Sequence, residues 1–425
     1  MKNVQGLLDY INQSPTAFHA TEVACNELEA AGFVELFEGD NWVLQPGGKY
    51  FVKKNSSAFI AFIVGNGKQA GGVRGIAAHT DSPCFVVKPN PQMTVGEHIK
   101  LNTAPYGGQI LHTWFDRPLA LAGRVMLKGD CFMSPVQKLV NINRPLVIIP
   151  SLAIHLNREV NKGFEINGQT HTLPFAGLIN EELENNNYLV NILTKELGCE
   201  SCQILDFDLM LYEYAPALLV GADEEFISAS RLDDLWMVHG GVQALKNAQA
   251  GEFTKLIFCP DNEEIGSLTA HGGQSRFFES VLRRICPDKC EQGFSKMLAN
   301  SYIISADLAH ATNPNYADKD DPTTKTLIGK GPVLKYSPMQ KYATTAHTAA
   351  VFKGLCEKAG VPCQGYIVRS DVQGGGTVGA MMSANLSVNV VDMGMPVLAM
   401  HAIRELASVA DHEYMLKLFG TFFEN

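Results

Sequence analysis

No uninterrupted apolar run of about 18 residues, the length a helix needs to cross a bilayer, occurs in this 425-residue sequence, so no membrane span is expected. The opening segment Met1–Ala20 lacks the layout of a signal peptide. Its apolar residues recur with helical spacing and are interrupted by Asp9, Asn12 and Gln13. Basic residues are in deficit: 34 Lys and Arg stand against 44 Asp and Glu, a formal net charge of −10, which argues against nucleic acid or an anionic membrane as the main partner. Paired cysteines are scarce as well. Cys199 and Cys202 are the closest pair, and with no second C-x2-C pair in the chain they do not read as a structural metal site. The other thiols are scattered, and Cys84, Cys259 and Cys356 lie in apolar contexts. That usage fits reduced thiols in a cytoplasmic protein. Internal repeats and low-complexity tracts are also missing.

What is present is a large, core-forming chain. Hydrophobic residues make up 46% and charged residues 18%, and the length exceeds that of a usual single domain, so two domains are expected. The first thirty residues read as two helices broken at Ser14-Pro15, with Thr16 as the cap of the second. Apolar runs at Ala58–Val64 and Val73–His79 read as buried strands. Between about Lys88 and Ala222 the texture changes to many short strand-like pieces, turn signals such as Tyr106-Gly107-Gly108, and a polar run at Asn180–Asn187. From Ser230 onward the pattern alternates. Helices are expected at Asp234–Ala248, Ser275–Arg284 and Thr345–Ala359. Strands are expected at Lys255–Cys259, Tyr302–Ala306, Gln364–Val368 and Leu386–Val391, with a helix closing the chain. Alternating strands and helices indicate an α/β layered sheet. The expected organisation is one α/β domain split by a β-rich insert: residues 1–88 and 223–425 around an insert at 89–222.

Five short segments carry chemistry. They are AAHTDSP around His79 and Asp81, SRLDDL around Asp233, DNEEIGS around Glu263 and Glu264, SADLAH around Asp307, and AMHAIRE around His401. Together they supply histidines, several carboxylates and a spare glutamate, the set that a hydrolase with two metal ions needs. Residues two apart on a strand face the same way, so Asp81 would accept from one nitrogen of His79 and fix its tautomer. Asp233-Asp234 opens a helix. Both ordinary capping and a bridging ligand role suit an aspartate there. Glu263-Glu264 follows a buried strand, and functional sites of open α/β sheets lie at such carboxyl ends. One glutamate would ligate and its neighbour would deprotonate water. Asp307 ends another strand, with His310 a turn later. Gly374-Gly375-Gly376 precedes a helix, so backbone is expected to approach the site closely there. It lacks the G-K-[ST] ending of a phosphate-binding loop.

Longer stretches extend these motifs: SPTAFHA (Ser14–Ala20), AAHTDSPCFVVKP (Ala77–Pro89), HTWFDRPLALAGRV (His112–Val125), LAIHLNREVN (Leu152–Asn161), SADLAHATNPNY (Ser305–Tyr316) and GPVLKYSPMQKYAT (Gly331–Thr344). Over nearly its whole length, and in order, the chain resembles the aspartyl aminopeptidase family of dinuclear zinc exopeptidases. The resemblance implies a three-layer αβα metallopeptidase domain with an inserted β-rich dimerisation domain. It implies one zinc on His79, Asp233 and Asp307, a second on Asp233, Glu264 and His401, Glu263 as general base, and Asp81 orienting His79. Mn²⁺ or Co²⁺ would serve as substitute metals. The resemblance places His155, Lys335, Tyr342 and His310 at the substrate, His155 reaching a neighbouring subunit. It also implies assembly into large homo-oligomers, often dodecamers built from dimers, and a preference for acidic N-terminal residues, with Lys335 as the cation.

The sequence departs from the family at Asn313, where a second histidine is common, at Gln373–Thr377, where P-C-G-S-T is usual, and at Pro118, where an acidic residue is common. None of these positions is a ligand or the base. Two alternatives stand beside a metalloaminopeptidase. One is a two-metal deacylase or carboxypeptidase on the same scaffold, and the other is a non-catalytic shell or cargo-binding assembly protein.

Overall fold

A computed structural model describes residues 2–67, 71–179 and 187–424. The polar run noted at 180–187 lies, up to residue 186, outside them. The chain divides into two compact units. The first comprises residues 1–81, 217–400 and 405–425; the second comprises 82–216 and the short return 401–404. The sequence-based boundaries at 88/89 and 222/223 fall a few residues later, and nothing in the sequence had marked the return at 401–404.

The first unit is built on a mixed nine-stranded sheet. Its strand order is Val34–Glu35, Lys49–Lys54, Ala58–Ile63, Thr254–Cys259, Val73–Ala77, Tyr302–Ala306, Asn389–Gly394, Val333–Tyr336 and Gln364–Ile367. The four strands from Thr254–Cys259 to Asn389–Gly394 run parallel. Alternation along the strands makes two separate cores. Phe59, Ala61 and Ile63 pack to one side with Ile257, Cys259, Ile304 and Val391. Ile60 and Phe62 pack to the other with Leu256, Phe258, Ile303 and Val390. Side chains alternate across a strand, so an apolar run without polar interruption needs cover on both faces. Helices Lys2–Gln13, Ala17–Ala30, Leu232–Asn247, Ala346–Ala359 and Val409–Glu424 cover the first face. Helices Phe277–Ile285, Glu291–Ala299 and Val378–Leu386 cover the second. The result is a layered α/β sheet, as the alternating pattern indicated, with the three-layer αβα arrangement that the family resemblance implied.

The first helix ends at Gln13, and the second begins after Pro15. Thr16 does not cap that helix through its side chain; its Oγ1 instead meets His19 Nδ1 at 2.8 Å. The carbonyls left at the end of the first helix are taken by Arg231, which donates to Ile11 O at 3.2 Å and to Ser14 O at 3.1 Å.

The second unit is a six-stranded antiparallel sheet, ordered Val136–Val147, Leu119–Leu127, Ile204–Glu213, Cys84–Val95, His98–Tyr106 and Phe175–Leu178. A bridge between Ile148 and Phe175 links its two outer edges. The strands are longer than the sequence suggested: Cys84–Val95 has 12 residues and Val136–Val147 has 12. Pro89 and Pro91 break the pattern of the first of these, and a register shift between Val87 and Gln92 absorbs them. Leu119, Leu121 and Val125 point into a core with Phe85, Trp114, Leu209, Leu189 and Leu193. Phe132, Met133, Leu152 and Leu156 are exposed in the same unit.

Candidate active site

The carboxyl ends of three parallel strands lead to His79 and Asp81, to Glu263 and Glu264, and to Asp307, while Asp233 lies in the first turn of helix Leu232–Asn247 and Lys335 on the strand Val333–Tyr336. The strand Val73–Ala77 stops two residues before His79, so His79 and Asp81 sit on the chain just beyond it rather than on the strand itself. They meet nonetheless. His79 Nδ1 lies 3.1 Å from the Asp81 main-chain oxygen and 3.3 Å from its Oδ1. Its other nitrogen, Nε2, lies 3.5 Å from Asp233 Oδ1. Burial disfavours a charged imidazole here, but the Asp233 and Asp81 carboxylates outweigh it and hold the His79 pKa well above its ordinary value.

Asp81 does a second job. Its Oδ1 accepts the Glu263 N–H and its Oδ2 the Glu264 N–H, each at 3.1 Å. The turn that presents those two glutamates is thereby fixed from outside itself. Asn262, at φ 59°, turns the chain into it. A left-handed non-glycine residue of this kind stores roughly 1–3 kcal/mol of strain. Arg231, at φ 60°, does the same just before Asp233. Burial pushes the Glu263 carboxyl up to about 7, helped by Asp307, Asp81 and Asp233 and opposed by His79.

His79, Asp233 and Asp307 each offer a ligand atom, all within 4.8 Å of one another. A buried group of one imidazole and two carboxylates is a donor set that suits zinc. The surplus of buried negative charge also suits a cation, so the residues fit a metal site. Lys335 contributes one positive charge: its Nζ lies 3.2 Å from Asp307 Oδ1, and the residue is 3% exposed. Its pKa is raised, because Asp307 and its neighbours overcome the burial that would lower it. Tyr342 lies against it, with 5.5 Å from Nζ to the ring centroid. Lys335 is thus engaged with a proposed ligand rather than standing alone in a cleft. His310 is exposed on the short strand Ala309–His310, its ring 5.8 Å from that of Tyr366.

His401 and His155 belong to the second unit. His401 adopts φ 67°, and its Nδ1 donates to Gly108 O at 3.1 Å. This leaves the lone pair on Nε2, the form a ligating imidazole takes. His155 is exposed on a turn at 154–156. In the first unit, the glycine loop is held by Lys341, whose Nζ donates to Gly374 O at 2.6 Å.

Two supporting carboxylates were not singled out in the sequence. Asp234 accepts the His79 main-chain N–H at 3.1 Å. Glu405, 2% exposed, accepts the Asp233 N–H at 3.0 Å. Asp234 was visible only as the second half of an aspartate pair, and Glu405 as the last letter of AMHAIRE. The signal available for both was an acidic residue followed directly by leucine, Leu235 after Asp234 and Leu406 after Glu405.

Comparison with known proteins gives the family. The family model described as Aminopeptidase I zinc metalloprotease (M18) matches residues 10–423. A probable M18 family aminopeptidase 2 of Clostridium novyi is 48% identical over 427 residues, covering 100% of this chain and 99% of that protein. A chain in the cryo-EM structure of the Ape4 and Nbr1 complex superposes with a TM-score of 0.95 at 36% identity, covering 100% of this chain and 85% of that one. The S. cerevisiae mApe1 dodecamer gives a TM-score of 0.84 at 25% identity, covering 99% of this chain and 96% of that one. A zinc metallopeptidase is the class that the matching family model describes. Within that class, the chain belongs to the M18 family and is an aminopeptidase.

Proposed function

We propose that the enzyme removes single N-terminal residues from peptides, using two zinc ions per chain. His79, Asp233 and Asp307 would hold one and Asp233, Glu264 and His401 the other, with Mn²⁺ or Co²⁺ as substitutes. The observation that carries this reading is the convergence of His79, Asp233 and Asp307 within 4.8 Å beside a Glu263 whose carboxyl is raised to about 7. Zinc bound there supplies Lewis acidity, polarising a peptide carbonyl and acidifying water. Glu263 takes the proton from the attacking water and hands it to the leaving amine. Asp81 keeps the Glu263–Glu264 turn and the His79 ring in register for that transfer.

A preference for acidic N-terminal residues is part of the proposal. The cluster is rich in carboxylates, so an acidic substrate side chain needs a cation, and Lys335 is the buried cation beside it. Tyr342 and His310 would line the same end of the site, and His155 would reach it from a neighbouring subunit. The inserted unit would be the dimerisation domain. Its exposed Phe132, Met133, Leu152 and Leu156 support that role, since apolar side chains left in water mark contact surfaces. Together with the dodecameric S. cerevisiae relative, they support a homo-oligomer built from dimers. The ten cysteines are free thiols, which supports a cytoplasmic setting. Among the described residues, no helix is long and apolar enough to cross a membrane.

The test is a panel of aminoacyl substrates with free and blocked amino termini, with zinc, manganese and cobalt supplied in turn. Hydrolysis confined to free amino termini, with aspartyl and glutamyl substrates first, is expected. Preferential hydrolysis of blocked substrates would favour a deacylase or carboxypeptidase, and no hydrolysis with any metal would favour a non-catalytic assembly protein.

A further inference from the structure

One buried carboxylate near the substrate-side residues has no place in the ligand set. Asp392 lies on the strand Asn389–Gly394, is 0% exposed, and stands beside Ser305 in the parallel ladder. Its Oδ2 accepts the Ala343 N–H at 2.5 Å, and its Oδ1 accepts the Thr377 hydroxyl. Its own N–H goes to Thr344 Oγ1 at 3.0 Å. Gly379 makes room for it: a Cβ there would lie 2.3 Å from Asp392 Oδ1. A single side chain thus fastens three pieces together. They are the segment at 341–344, the N-terminal end of helix Val378–Leu386, and a strand of the central sheet.

The fastened segment carries Tyr342, 5.5 Å from Lys335 Nζ. Lys341, next to it, ties the glycine loop through Gly374 O. Releasing Asp392 would free both together, while His79, Asp81 and the Glu263–Glu264 turn keep their own supports.

We propose that Asp392 is a positioning residue for substrate binding, which fixes Tyr342 over Lys335 by pinning the 341–344 segment to Thr377. The proposal rests on the reading of Tyr342 as a substrate-side group. A segment that is ordered beforehand spares the substrate the cost of ordering it. Its loss therefore falls on KM and leaves the chemical step at Glu263 alone.

The experiment compares Asp392→Asn, Asp392→Ala, Tyr342→Ala and the Asp392→Ala/Tyr342→Ala double variant of the full-length enzyme. KM and kcat are measured on the wild type's preferred aminoacyl substrate, with zinc content and thermal melting alongside. In Asp392→Asn the amide oxygen can take the Ala343 N–H while its NH₂ donates to the Thr377 hydroxyl, so KM is expected to stay within about threefold of wild type. Asp392→Ala is expected to raise KM by about tenfold or more, with kcat per zinc-loaded chain within about threefold. Tyr342→Ala should raise KM similarly, and the double variant should add nothing further. A purely structural role would instead lower the folded fraction and leave KM unchanged. Wild-type KM in Asp392→Ala beside a raised KM in Tyr342→Ala overturns the positioning role. Wild-type KM in Tyr342→Ala overturns the reading of that tyrosine, and the proposal with it. If Asp392→Ala does not fold, Thr377→Val, which removes one of the ties, takes its place. A wild-type KM there is equally fatal.

Discussion

The ammonium of Lys335 lies 3.2 Å from the carboxylate of Asp307, with both side chains largely withdrawn from water. A buried charge stripped of its partner is costly, so this lysine is committed to the carboxylate cluster whether or not substrate is present. If it also receives an acidic substrate side chain, Lys335→Met should lower kcat/KM for aspartyl substrates by about 10–100-fold relative to leucyl substrates, as loss of a charged hydrogen bond would. Side-by-side kinetics on the two substrates measures the ratio. An unchanged ratio would remove Lys335 from the specificity argument and leave the aminopeptidase assignment standing.

Asp81 supports both the proposed base and the proposed ligands. It accepts two successive amides, those of Glu263 and Glu264, and pairs with His79. Asp81→Ala leaves those amides without their acceptor and the imidazole without its orienting group. Zinc affinity is expected to fall by about 10–100-fold, the usual effect of losing a group that orients a metal ligand. Titration against a competing chelator gives the affinity, and wild-type affinity would contradict the role.

The ligand set makes an ordered claim. Asp233 would bridge both ions and His401 would hold one. Asp233→Ala is therefore expected to lose both zincs and His401→Ala to lose chiefly one, as read by elemental analysis of the purified variants. Two zincs per chain retained in either variant would refute the set.

Assembly is expected to depend on the inserted unit. Light scattering after size exclusion should show a species far above the 46.3 kDa chain. Replacing the exposed Phe132 and Met133 by serine should shift it toward smaller species, with little change in the melting temperature of the chain itself. A fully active wild-type monomer would contradict both the oligomer and the proposed reach of His155 between subunits.

Much of the first unit was legible because period-two burial and strand–helix alternation are written locally. Phe59 and Ile60 already declare that both sheet faces are covered. The residues at strand ends were legible for a related reason: the acidic run Asp261–Glu264 just past one apolar strand, and Asp307 directly after another, need an explanation. Asp392, Asp234 and Glu405 were not legible. Each is a buried acid whose partners are distant backbone amides or hydroxyls, and no spacing in the sequence records such a pairing. The inserted unit was under-read because Pro89, Pro91 and Pro145 look like strand breakers, yet they sit within long strands next to register shifts. Helix Glu291–Ala299 was missed because it begins on an unusual cap, with Cys290 Sγ accepting the Gly293 N–H at 3.3 Å. That His401 folds with the second unit could not be seen from an apolar run near the end of the chain.

The central claim is that Glu263 moves the proton while its neighbours hold the metal. The most direct measurement is turnover and zinc content of Glu263→Gln, made on the same preparation. The expected result is two zincs per chain with turnover reduced by about 10²–10⁴, the span for losing a general base. Wild-type turnover with both zincs in place would contradict the assignment, and so would a loss of zinc that accounts for the whole loss of activity.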